Sequence, residues 1–120
     1  LYLVSADVRK ADIAEQTIAA GGHVSVQVLN EFVSVARRKA GLRWNEIDDV
    51  LGSVRRICRV HALTTETHDA ARTLAEKHKL SFYDATIVAS AVAAGCDTLY
   101  SEDLQDGRRF GGALRVRNPF

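Results

Sequence analysis

A chain of 120 residues is long enough for one compact domain and too short for two. Apolar residues make up 47% and charged residues 26%, as in ordinary globular proteins, and a net charge of +1 excludes a polycation. No apolar run approaches the length of a membrane span, so a cytoplasmic protein without membrane contact is expected.

The chain holds no Met, and its opening Leu1-Tyr2-Leu3-Val4 is apolar with no helix cap before it. Residues 1–5 read as the tail of an apolar helix whose beginning is expected upstream. Residues 11–20 form a short helix stopped by Gly21-Gly22. Residues 23–26 are a short strand candidate. Val28, Leu29, Phe32, Val33, Val35 and Ala36 recur at helical spacing, which predicts a helix ending at Gly41. Trp44, Ile47, Leu51 and Val54 mark the next helix, extended by Ile57, with Trp44 expected to pack in a core or interface. Residues 59–63 alternate and predict a strand. Residues 65–79 are helical, with a capping-box pattern near Thr64 and Thr65. Residues 82–94 are apolar on nearly all sides and read as a central helix ended by Gly95. Residues 98–100 predict a buried strand that leads into Ser101-Glu102-Asp103. Gly111-Gly112 is a turn and residues 114–117 a last short strand. Short strands alternating with helices imply parallel pairing. The expected fold is therefore α/β, a three-layer α/β/α sandwich with a central parallel sheet and a single domain over residues 1–120.

In such sheets ligands gather at the carboxyl ends of the strands. Three carboxylates fall there. Glu31 lies in the first turn or two of the helix after the 23–26 strand, Asp84 opens the apolar helix, and Asp103 follows the 98–100 strand. Brought together, they would repel one another unless a cation neutralised them. Oxygen ligands of this kind suit Mg²⁺ or Mn²⁺, and a pair of such ions can activate a water and stabilise the leaving oxygen of a phosphodiester. Each acid also has a structural reading: a carboxylate in a first helical turn is a dipole partner, and an Asp after a strand is a turn former. Asp97 and Asp106 read as turn residues, and Glu102 as a solvent-facing one.

Basic residues cluster at Arg37, Arg38, Lys39 and Arg43, at Arg55, Arg56 and Arg59, and at Arg108, Arg109, Arg115 and Arg117. They are either solvated faces or contacts for phosphate. Trp44 and Tyr83 could stack on bases. His23, His61, His68 and His78 share no ligand spacing, which argues against zinc. Cys58 and Cys96 have no motif spacing, and two free thiols in a reducing cytoplasm are expected.

The string Ser25-Val26-Gln27-Val28-Leu29-Asn30-Glu31-Phe32 resembles the second motif of PIN domains, a strand-ending Ser followed by a helical Glu. Phe82-Tyr83-Asp84-Ala85-Thr86-Ile87-Val88-Ala89-Ser90-Ala91 looks like the third, an Asp followed by small and apolar residues. Leu99-Tyr100-Ser101-Glu102-Asp103-Leu104-Gln105-Asp106-Gly107 looks like the fourth, a Ser or Thr, any residue, then Asp. The three stand in family order, and the wording is closest to VapC-type toxins of prokaryotic toxin–antitoxin pairs. The resemblance implies a metal-dependent endoribonuclease with Glu31, Asp84 and Asp103 as catalytic and metal-binding residues and Mg²⁺ or Mn²⁺ as cofactor. It also implies that the hydroxyls of Ser25 and Ser101 support the site, that RNA is the substrate, that a small antitoxin occupies the active-site groove, and that the protein is a homodimer. The family's first motif, a strand ending in Asp-Thr-Asn, is expected shortly before Leu1, so the domain is expected to be incomplete at its N-terminus. The alternative is a non-catalytic PIN-like module that binds RNA or protein. A receiver-like phosphoacceptor would need an acidic pair after its first strand and a Lys after its last, and neither is in place.

Overall fold

A computed structural model describes Gln16 and residues 21–119. The helices expected at 1–5 and 11–20 lie outside the described residues, Gln16 excepted, which is helical. The chain divides into two compact units, with the boundary between Val60 and His61.

In the first unit, strand β1 (Gly22–Ser25) passes without a loop into helix α1 (Val26–Arg38). The switch occurs at Ser25, which keeps extended dihedrals while its hydroxyl accepts the Val28 N–H at 3.3 Å. A capping Ser satisfies one of the backbone donors that a helix start leaves without a partner. Val26 was expected in the strand and instead begins the helix. At the far end the Lys39 N–H donates to the Val35 carbonyl at 2.8 Å, and Gly41 takes a positive φ of 63° that turns the chain. Helix α2 (Trp44–Ile57) opens with a different device: the Arg43 backbone N–H and the Arg43 Nε both donate to Glu46 Oε1 at 3.0 Å. Those bonds, the backbone one foremost, hold the Glu46 carboxyl below its ordinary pKa. Phe32 and Ala36 of α1 and Ile47 of α2 form the buried centre, with Val33, Leu42, Val50 and Leu51 packed around them. The spacing of these residues in each helix places them on one face. Strand β2 (Cys58–His61) follows α2 directly and pairs with β1.

In the second unit, helix α3 (Thr65–His78) is capped by Thr64, whose Oγ1 accepts the Thr67 N–H at 3.1 Å. The helix stops one residue earlier than expected because Lys79 adopts a left-handed φ of 57°. Helix α4 (Phe82–Ala93) runs along α3, joined to it through Ala71, Ala85 and Ala89, with Leu74, Ala75 and Leu80 around them. Small side chains at such a seam let two helix backbones approach closely. Strands β3 (Thr98–Tyr100), β4 (Arg109–Phe110) and β5 (Leu114–Arg117) form a sheet of order β3–β5–β4. Its inner side packs Phe110, Leu114 and Val116 against Val88 and Leu104.

The fold is α/β, as the pattern predicts, and β3 and β5 pair in parallel. Strand β4 was not expected. Two residues are too few to show a period, yet Arg109 and Phe110 pair antiparallel with β5 across Gly111-Gly112-Ala113. Both glycines take positive φ, 58° and 82°, which a turn this tight requires.

Candidate active site

Glu31 sits in the second turn of α1, six residues after the Ser25 cap, and is half-buried. Ser25 itself is 5% exposed. Its cap bond uses an acceptor lone pair, so the O–H remains a donor suited to a neighbouring oxygen.

Asp84 is the third residue of α4 and the acid of its first turn. Its backbone N–H donates to the Oγ of the capping Ser81 at 3.2 Å, which fixes the backbone from which its carboxylate projects. Ser81 was not singled out from the sequence, although Ser-x-x-Asp before an apolar run is a start signal of this kind. The flanking Phe82 and Tyr83 are exposed, and Phe82 meets His68 edge-on with ring centroids 5.3 Å apart. One turn along, the Thr86 hydroxyl donates to the Tyr83 carbonyl at 2.6 Å.

Asp103 is exposed in the loop after β3. Ser101 shapes that loop: its Oγ accepts the N–H of Asp103 at 3.2 Å and of Leu104 at 3.3 Å. Leu104 is buried in the core of this unit, so the turn is anchored on one side of Asp103 by packing and on the other by the strand. Both candidate supporting serines thus have a definite backbone task, the alternative reading open for such residues.

Ion pairs among the described residues join Arg43 to Glu46 and Arg72 to Asp69, and neither involves Asp84 or Asp103. Hard oxygen donors of this kind suit a divalent cation. Among the described residues no three His, Cys, Asp or Glu side chains are grouped so as to hold a metal ion. Glu31 belongs to the first unit, and Asp84 and Asp103 to the second.

The expectation that Trp44 packs in a core is corrected. Trp44 is 58% exposed rather than part of a core, and the Arg37 guanidinium lies 4.8 Å from the centre of its ring. It stands at the first position of α2, one turn before the buried Ile47, at the end of the helix rather than among the packed residues. The C-terminal basic cluster divides. Arg108 turns inward, donating to the His78 carbonyl at 2.9 Å and lying over the Phe110 ring, whereas Arg109, Arg115 and Arg117 are exposed. A cavity of about 300 Å³ in the second unit is lined by His61, Ala62, Thr64, Thr67, Ser90, Ala93 and Ala94 and includes none of the three candidate acids. The buried Ser90 Oγ there has no hydrogen-bond partner among the described residues. Cys58 and Cys96 are free thiols, and burial pushes both pKa values up, helped at Cys96 by the Asp97 charge. Among the described residues no helix is long and apolar enough to cross a membrane.

No curated protein matches the chain. A model of the PIN domain matches residues 1–108, a span that holds all three candidate acids and runs through both units. PIN domains are in general nucleases, typically dependent on divalent metal ions. With the match covering most of its length, the chain belongs to the PIN domain family.

Proposed function

We propose that this PIN domain is an endoribonuclease dependent on Mg²⁺ or Mn²⁺ that acts as the toxin of a VapC-type toxin–antitoxin pair in the cytoplasm. What supports the reading is that three carboxylates occupy the family's motif positions, each beside a helix start or a strand end. Glu31 lies in the second turn and Asp84 in the first turn of capped helices, and Asp103 lies in a hydroxyl-braced loop just past a strand. In this reading Glu31, Asp84 and Asp103 would hold the ion, whose positive charge would serve to activate a water and to stabilise the leaving oxygen of the phosphodiester. Ser81 and Ser101 hold the backbone of Asp84 and Asp103, and the Ser25 and Ser101 hydroxyls donate to oxygens of the site. Exposed arginines position the RNA backbone.

An antitoxin would mask the site by placing an Arg or Lys against these carboxylates, replacing the ion's charge while donating hydrogen bonds. The exposed Phe82 and Tyr83 beside Asp84 offer it apolar contact. The residues first considered for that groove, Leu1 to Val4, lie outside the described residues. A homodimer is part of the same resemblance.

The test is cleavage of a single-stranded RNA pool by the full chain with Mn²⁺ or Mg²⁺, with and without EDTA. Metal-dependent, endonucleolytic cleavage is expected. Bound but uncut RNA under all these conditions would replace the enzyme with the second reading, a non-catalytic PIN-like module. The toxin role is tested separately. Expression should arrest growth, and co-expression of the neighbouring small open reading frame should relieve the arrest.

A further inference from the structure

Strand β5 alternates strictly: Leu114 and Val116 are buried, while Arg115 and Arg117 are exposed. The antiparallel register sets Arg109 opposite Arg115, and the parallel register sets Tyr100 beside Arg117 and Thr98 beside Arg115. Residues paired across strands project from the same side of a sheet. One face of this small sheet therefore carries Tyr100, Arg109, Arg115 and Arg117, and the other carries the core. Tyr100 is 54% exposed.

This is a costly way to build a bare surface. Like charges directly opposite on antiparallel strands destabilise a sheet. Among the described residues neither ion pair includes Arg109, Arg115 or Arg117. Asp106, the carboxylate nearest Arg109 in the chain, accepts the Asn118 N–H at 2.9 Å, and Asp97 accepts the Thr98 hydroxyl at 3.1 Å. Arg108, next in sequence, shows the contrast, since its guanidinium is bonded within the fold. Three planar, permanently charged groups with free forks, beside an aromatic ring with an open face, match a chain of phosphates bearing unpaired bases.

We infer that this face is a binding platform for single-stranded RNA, with Arg109, Arg115 and Arg117 on successive phosphates and Tyr100 stacked on one unpaired base. It rests on the nuclease reading only for the choice of RNA. The platform leads straight into the candidate site, because Tyr100 ends β3 and Ser101 and Asp103 follow it in the chain. Single strands rather than duplexes fit because a paired, stacked base cannot offer its ring to Tyr100.

The experiment is fluorescence anisotropy of a labelled oligouridylate on the full chain in EDTA, where no metal-dependent cleavage occurs, over a range of KCl concentrations. Each lost arginine–phosphate contact should lower the slope of log K against log salt by about 0.7, so R109A/R115A/R117A should lose about 2 in slope and at least tenfold in affinity at low salt. Tyr100→Ala should weaken binding by about tenfold with the slope unchanged, and Tyr100→Phe should bind as the parent does. Cooperative melting checks each variant. If the triple variant does not melt cooperatively, R115A and R117A singly carry the slope test. Parental affinity and slope in the arginine variants would overturn the platform, as would parental binding by Tyr100→Ala or an equal loss on duplex RNA. Parental RNA binding together with lost binding of a polyglutamate peptide would overturn it too, and give the face to an acidic protein partner. The two readings fail separately. RNA that is bound in EDTA through these residues but never cut with Mn²⁺ sinks the nuclease alone. Cleavage by the triple variant at parental KM sinks the platform alone.

Discussion

Replacing Asp84 with Asn separates what this side chain does for the fold from the catalytic role proposed for it. The Ser81 cap bond comes from the Asp84 backbone N–H, at 3.2 Å, so the exchange leaves that bond in place. What the helix loses is a negative charge in its first turn, worth about 0.3–1 kcal/mol. In a domain of this size that lowers the melting temperature by at most roughly 4–8 °C. A metal-dependent reaction loses far more. Removing a group that stabilises the reacting charge costs about 10²–10³ in rate, or roughly 2.7–4 kcal/mol. Ser81→Ala is the complementary variant: it removes the cap, costs about 1 kcal/mol of stability and leaves the carboxylate present. The assay is single-turnover cleavage of RNA at saturating Mn²⁺, with thermal melting and Mn²⁺ titration calorimetry on both variants. Asp84→Asn should melt near the parent and cut at least about 10²-fold more slowly, while Ser81→Ala should melt lower and keep most of its activity well below its melting point. Equal cleavage by purified Asp84→Asn would refute the role given to Asp84. A melting loss as large as that of a core deletion would refute the argument that its structural task is only electrostatic.

Lys79 holds a left-handed φ at the end of α3, so Lys79→Gly should raise stability by about 1 kcal/mol, read as a higher denaturation midpoint with an unchanged denaturant slope. Val116 is fully buried between Leu114, Phe110 and Val88, so Val116→Ala should cost about 1–3 kcal/mol; a loss under a few tenths would mean that the site is not packed as described. Glu46 has its carboxyl pKa lowered by Arg43, so its contribution is present above its ordinary value of 4.5 and fades as pH falls through the lower folded value. The melting difference between the parent and Glu46→Gln should therefore close at acid pH, and a difference that widens there would contradict the assigned cause. Both thiols have raised pKa values, so alkylation of the folded chain should accelerate only at a higher pH than for a model thiol, and rapid labelling at neutral pH would contradict the burial of Cys58 and Cys96.

Much of the local structure follows from residues close together in the chain. The apolar spacing of Phe32 and Ala36, and of Ile47, Leu51 and Val54, produced two helices whose packed faces hold those same residues. Ser25 and Ser81 set helix starts because a hydroxyl reaches a backbone N–H three residues on, an interaction that involves no other part of the fold. The motif strings around Glu31, Asp84 and Asp103 were legible for the same reason, as each joins a strand end or helix start to an acid within a few residues. Tertiary structure decided the rest, because it depends on partners far along the chain. β4 exists only because Arg109 and Phe110 pair with β5, and two residues carry no period of their own. Trp44 is exposed at the end of α2, outside the packed residues, although its apolarity alone argued for burial. The last basic cluster was a single string in the sequence. The sheet register turned Arg108 inward and set Arg109, Arg115 and Arg117 beside Tyr100 on one open face, since a strand sends alternate residues to opposite sides and only pairing decides which side meets the core.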